Sequence, residues 1–82
     1  MTDNAEITSR VVAALESAAA AEAGVNTALV SVNIQLLAPG SGGTIKTAVE
    51  RKTRTLIFMR ADLLDTTGAA IASASSVHKI SA

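Results

Sequence analysis

The chain has no cysteine, tryptophan or tyrosine, one phenylalanine, Phe58, and one proline, Pro39. Without cysteine, neither disulfides nor thiolate metal sites can staple the fold. With a single aromatic ring there is no platform on which unpaired bases stack. Seven Lys and Arg against seven Asp and Glu leave a net charge of zero, not the basic footprint of a nucleic-acid binder, so nucleic acid is excluded as a partner. Long uncharged apolar runs are also lacking. Glu16 and Glu22 interrupt the most apolar region, which falls short of the roughly 18 residues a membrane-spanning helix needs. Residues 1–6 are polar and acidic, whereas a secretory leader opens basic and continues apolar. The expectation is a cytoplasmic protein with no membrane contact.

What is present is one domain's worth of small and aliphatic residues. Half of the 82 residues are apolar, so the core has to be built from Ala, Val, Leu and Ile. A chain of this size buries only about 60% of the surface its unfolded form exposes, which makes a lone monomer marginal and a homo-oligomer expected. One domain over residues 1–82 follows, with no internal repeat and no low-complexity tail.

Residues 6–23 contain strong helix formers and no Gly or Pro, and Gly24 stands where a helix stops. Asp3 or Asn4 is placed to cap it. At 100° per residue, Ile7, Val11, Ala14, Leu15 and Ala18 share one face, and Glu6, Ser9, Arg10, Ala13 and Ser17 share the other. The spacing therefore predicts a helix that buries one side. From residue 27 to 38 the chain alternates: Ala28, Val30, Val32, Ile34 and Leu36 point one way, Leu29, Ser31, Asn33, Gln35 and Leu37 the other, as in a half-buried strand.

Residues 39–43, Pro-Gly-Ser-Gly-Gly, break the strand. This glycine run precedes a strand, whereas a phosphate-cradling loop follows a strand and opens a helix, so it reads as a plain loop. A second strand is predicted at 44–51 and a third at 55–65, joined by the basic turn Lys52-Thr53-Arg54. Asp65-Thr66-Thr67-Gly68 is a turn with an aspartate and a glycine suited to positive φ, returning the chain as a fourth strand over 69–79. The expected architecture is α+β: one long N-terminal helix on a four-stranded antiparallel meander.

Particular residues give this order a relative. Ala-Leu-Glu-Ser-Ala at 14–18 is similar to the L-A-(D/E)-(T/S)-A helix segment of the hotdog-fold acyl-CoA thioesterases of the phenylacetate-degradation and 4-hydroxybenzoyl-CoA type. Val-Asn-Ile-Gln-Leu-Leu-Ala-Pro at 32–39 is similar to that family's V-N-F-L-R-P strand. Gly43, Asp65, Gly68 and Ala72 fall where it has a loop glycine, a D-x-x-G turn and a small residue. The resemblance covers residues 7–80. Two departures stand out: the family's strand before the helix is missing, and Ile7-Thr8-Ser9 occupies the place of its His-Gly-Gly opening, whose amide helps hold the thioester carbonyl. On this pattern the chain resembles a truncated member.

The resemblance implies a hotdog-like fold whose sheet continues across a dimer through the 27–38 strand. It implies hydrolysis of a small acyl-CoA thioester, with no cofactor beyond the coenzyme A of the substrate. Glu16 takes the catalytic carboxylate's position, as nucleophile or as general base toward water; the residues alone read it equally as a solvated helix glutamate. Asn33 is the candidate polar neighbour across the dimer interface. Arg51, Lys52, Arg54 and Arg60 are candidates for the coenzyme A phosphates, although a charged, solvated strand edge accounts for the same residues. His78, the only histidine, reads as a surface imidazole, since neither a nucleophile nor an orienting acid stands beside it in sequence. A lone His without Cys also makes a poor metal site. The rival reading is a non-catalytic hotdog module that binds an acyl ligand or serves as an oligomeric unit.

Overall fold

The computed structural model describes residues 4–38 and 43–81. Helix α1 spans Asn4–Ala23 and is followed by strands β1 (Thr27–Leu36), β2 (Thr44–Lys52), β3 (Leu56–Leu64) and β4 (Ala70–Ile80). The side of α1 expected to be buried is buried. Ile7, Val11 and Leu15 have almost no exposed surface and Ala14 and Ala18 are half-buried; Ala19, outside the predicted stripe, is buried with them, while Glu6, Ser9, Arg10, Ala13 and Ser17 are exposed. Gly24 ends the helix at φ 72°, its amide donating to the Ala20 carbonyl at 2.9 Å, a left-handed cap that a Cβ would strain. The cap predicted at Asp3 lies outside the described residues.

All strands are antiparallel, in the order β1-β4-β3-β2. The expected four-strand meander therefore holds only for β2, β3 and β4, because β1 joins the far side of β4 and the connection after Leu36 crosses from one edge of the sheet to the other. That order puts the two strands with the least burial at the edges. The central strands carry the alternation that marks a covered face: Ile57, Met59, Ala61 and Leu63 on β3, and Ala72, Ala74, Ser76 and His78 on β4, all buried toward α1. Together with the helix residues they form one core, with Ala18, Ile34, Ile45 and Ile80 at its margin.

Three ladder irregularities bend the sheet. In β1 the register skips Val30, so Leu29 and Ser31 face His78 and Val77 in succession. Leu29 thereby joins Val32, Ile34 and Leu36 on the helix side, and Ala28 moves to the outer side, which reverses the predicted alternation for the first turn of the strand. Glu50 is the skipped residue of β2. On β4, Ile71 is skipped, which is why two consecutive residues, Ile71 and Ala72, are both buried.

The predicted Asp65 turn forms as expected. One Asp65 carboxylate oxygen accepts from the Thr67 amide at 2.8 Å, the Thr67 hydroxyl at 2.7 Å and the Ala69 amide at 3.0 Å, and Gly68 adopts φ 92°. The Thr67 hydroxyl and these amides hold the Asp65 pKa below its ordinary value. Gly43 packs against the same turn: a Cβ there would lie 3.3 Å from the Asp65 carbonyl carbon, a tight contact that would make the turn backbone give by a few tenths of an ångström.

Candidate active site

The sheet has two unlike faces, and they divide the predicted site residues. Glu16 lies on the flank of α1, exposed, one residue beyond the fully buried Leu15. Asn33 and Arg60 lie on the outer face, in one cross-strand rung through Ser75. Within one protomer the sheet thus separates Glu16 from Asn33 and Arg60, and the structure does not bring these three together.

The basic residues also have distinct surroundings. Lys52 donates to the Glu22 carbonyl at 3.2 Å and has the Glu22 carboxylate at 4.0 Å. It supplies the cation that the last turn of α1 lacks, on the favourable side of the helix dipole. Arg60 pairs with Asp62 at 3.4 Å in an exposed contact of small worth. Arg51 and Arg54 are exposed on β2 and in the turn that follows it.

On the outer face, two polar rungs stand side by side. Gln35, Ser73, Asp62 and Lys46 make one, and Asn33, Ser75 and Arg60 the other. Asn33, Gln35, Arg60, Ser73 and Ser75 of these rungs, with Glu50, line a groove of about 180 Å³, below the roughly 300–1,000 Å³ of small-molecule pockets and so too small for a whole acyl-CoA. Gln35, Ser73 and Ser75 were not among the site residues read from the sequence. Their signal was the polar parity of the 73–75 and 33–35 segments, legible only once β1 is known to pair with β4.

His78 overturns its sequence reading. It is fully buried on the helix face of β4, flanked in the ladder by Leu29 and Ile57. Its Nε2 lies 2.7 Å from the Ser76 hydroxyl oxygen, and among the described residues its Nδ1 has no hydrogen-bond partner. Burial lowers its pKa below the ordinary 6.5, opposed by the Glu16 carboxylate, which raises it. The missed signal was parity: position 78 shares the inward phase of Ala72, Ala74 and Ser76. A surface imidazole could be truncated silently, whereas His78→Ala empties a core position and costs about 2–5 kcal/mol on the scale of other large-to-alanine core changes.

Ile7, Thr8 and Ser9, at the position of the His-Gly-Gly opening, lie within the first turns of α1. Among the described residues no three His, Cys, Asp or Glu side chains gather as a metal site, and no helix is long and apolar enough to cross a membrane.

A helix wrapped by a curved antiparallel sheet in this order is the hotdog fold. Solved structures share it: a protein of the thioesterase superfamily matches over 98% of this chain with a TM-score of 0.84 and 20% identity. A Bacillus halodurans protein solved with CoA matches over 99% with a TM-score of 0.86 and 14% identity. The chain spans 62% and 56% of the lengths of these two. No protein-family model matches it, and no curated protein matches it in sequence.

Proposed function

We propose that the chain is a small hotdog-type acyl-CoA thioesterase that works as a dimer through β1, with Glu16 as its reacting carboxylate. The observation that carries this is Glu16 itself: an exposed carboxylate halfway along the central helix, at the edge of the covered face, in a fold whose neighbours include a thioesterase-superfamily protein and one solved with CoA. As general base, Glu16 takes a proton from water while the hydroxide adds to the thioester carbonyl. The tetrahedral intermediate then expels the thiolate of coenzyme A, which recovers the proton, leaving the free acid. As nucleophile, it adds to the carbonyl and expels the coenzyme A thiolate, forming a mixed anhydride that water cleaves to the free acid and the regenerated Glu16, the thiolate taking up the proton released.

A site of this kind also needs donors for the developing oxyanion. The segment at the position of the family's opening is helical here, so in this proposal a partner copy supplies them; a sheet continued through β1 keeps Asn33 of either copy on the outer face, so Asn33 is not that donor. Arg51 and Arg54, exposed at the β2–β3 end, are the arms offered to the phosphates; Lys52 is already tied to the helix terminus.

The helical state of Thr8 and Ser9 favours a second reading, a module that binds an acyl ligand without hydrolysing it. Assaying a panel of acyl-CoA thioesters separates the two. Glu16→Gln keeps shape and polarity but removes the base, so hydrolysis should fall by about 10²–10⁴ with mass and circular dichroism unchanged. Full activity in that variant moves the chemistry elsewhere. Calorimetric binding of acyl-CoA without turnover by the wild type assigns the module.

A further inference from the structure

The outer face of the sheet gathers polar side chains from all four strands around one depression. Asn33 and Gln35 of β1 make one wall, Ser73 and Ser75 of β4 the floor, and Arg60 of β3 with Glu50 of β2 the other wall. The second wall is shaped by β2. Ala48, opposite Arg60 in the ladder, is too small to fill its place beside the guanidinium. Glu50 is the extra residue between Val49, which shares the helix side with Met59, and Arg51, which shares the outer side with Phe58. The bulge thus lets two charged residues follow one another on the outer side, and Glu50 lines the depression.

These groups are not spent on one another. Among the described residues, the side chains of Asn33, Gln35, Glu50, Ser73 and Ser75 make no hydrogen bond or ion pair. Arg60 is held through Nε, 3.4 Å from an Asp62 carboxylate oxygen, and its two terminal nitrogens make no hydrogen bond among the described residues. The Asp62 contact therefore steadies the stem of the guanidinium and leaves its fork free for a carboxylate. Opposite charges, Arg60 and Glu50, stand on one wall without pairing with each other.

The lining decides what fits. A space of about 180 Å³ holds about six waters, so the occupant is small. An apolar molecule finds only Ala74 for contact, and the chain's one ring, Phe58, is not in the lining. A simple anion meets Arg60 but also the Glu50 and Asp62 carboxylates, and a simple cation meets the guanidinium. A molecule with both charges satisfies both sides of the wall, and the amides and hydroxyls opposite offer donors and acceptors together.

We propose that this groove is a binding site for a small zwitterion, an α-amino acid with a polar side chain. Its carboxylate lies on the terminal nitrogens of Arg60, its ammonium donates to Glu50, and its side chain reaches over Ser73 and Ser75 to Asn33 and Gln35. The sheet stands between this groove and Glu16, so the site does not depend on the thioesterase reading. Because both charges are exposed, the binding is weak, with Kd of about 1 mM or above.

The test is a titration of the ¹⁵N-labelled protein with L-glutamine, followed by ¹H–¹⁵N NMR, with acetate, ethylamine and glucose as comparison probes. Saturable shifts confined to residues around the groove are expected with L-glutamine, and much smaller ones with acetate or ethylamine, each of which carries one of the two charges. Arg60→Gln and Glu50→Gln are exposed substitutions that leave the fold intact, and each should weaken L-glutamine binding about 10–100-fold, the worth of a hydrogen bond to a charged group. Acetate or ethylamine binding as well as L-glutamine makes this a single-charge site and overturns the proposal. Glucose binding in place of L-glutamine makes it a polyol site and overturns it too. So does an L-glutamine titration with no saturable shifts at the groove up to the limit of solubility, or one that both variants leave unchanged.

Discussion

Along β1 no side chain is charged, and Val30, Val32 and Leu36 are 60%, 37% and 46% exposed. Along β2, at the other edge of the same sheet, Lys46, Glu50, Arg51 and Lys52 surround one comparably exposed residue, Val49 at 39%. Both edges carry a bulge, so both are bent away from an ideal pairing template. The charges make the difference. An edge lined by Lys and Glu repels a second strand, whereas a longer uncharged one invites it. The two edges are thus suited to different neighbours: water for β2, and in the proposed assembly a twin strand for β1.

The largest effect should come from Val32→Pro. Proline removes one N–H and blocks close pairing, so whichever side the Val32 amide serves, β1 loses either its bond to β4 or its bond to a twin. Light scattering should show the dimer mass lost, or calorimetry the folding transition lost; an unchanged dimer mass would sink the proposed use of this edge. Next is the converse experiment, Lys46→Val with Glu50→Val, which makes β2 resemble β1. Larger particles are expected, and a variant that keeps its original size would show that the β2 edge is already covered.

Acid provides the subtler comparison. His78 lies against β1 through Leu29, and its folded pKa is depressed below 6.5. Above that value it is neutral in both states and stability is level. As pH falls below 6.5 the unfolded chain takes up the proton first, so stability declines until the folded pKa is passed. Asp65 behaves in the same sense at lower pH. Its folded pKa lies below 3.8, and its contribution is complete above 3.8 and lost as pH falls through the folded value. Hydrogen exchange over a pH series should therefore show the β1–β4 seam loosening first, with the Asp65 turn following only in strong acid. Simultaneous loosening would contradict this order.

How much of this was readable beforehand depends on whether a signal is local. The buried stripe of α1, the Gly24 stop and the Asp65–Gly68 turn are set by residues within a few positions of one another, and they stand where the sequence put them. Strand order is not local. Nothing in residues 27–38 says that β1 pairs with β4, and the Gly-rich 39–43 stretch looks like a hairpin turn while its flanking strands occupy opposite edges. The site suffered for the same reason. Asn33 and Arg60 share a rung only because β4 lies between their strands, and His78 was read as exposed because its phase was not counted against Ala72 and Ala74. Glu16 came through the resemblance; its exposure alone would mark it as one more solvated glutamate.

The skipped residues have a consequence for changes in chain length. In an ordinary strand, deleting one residue turns everything on one side of the cut to the opposite face. Val30 and Glu50 are the exceptions on the two edges, because each is already the extra residue in its ladder. A chain lacking Val30 would still set Leu29 against His78 and Ser31 against Val77, and one lacking Glu50 would still set Val49 against Met59 and Arg51 against Phe58. Such a chain would be shorter and its edge straighter, with every remaining side chain on its present face. These are the positions in β1 and β2 where the molecule can absorb a deletion, and the cost would be a flatter sheet around α1 rather than a scrambled core.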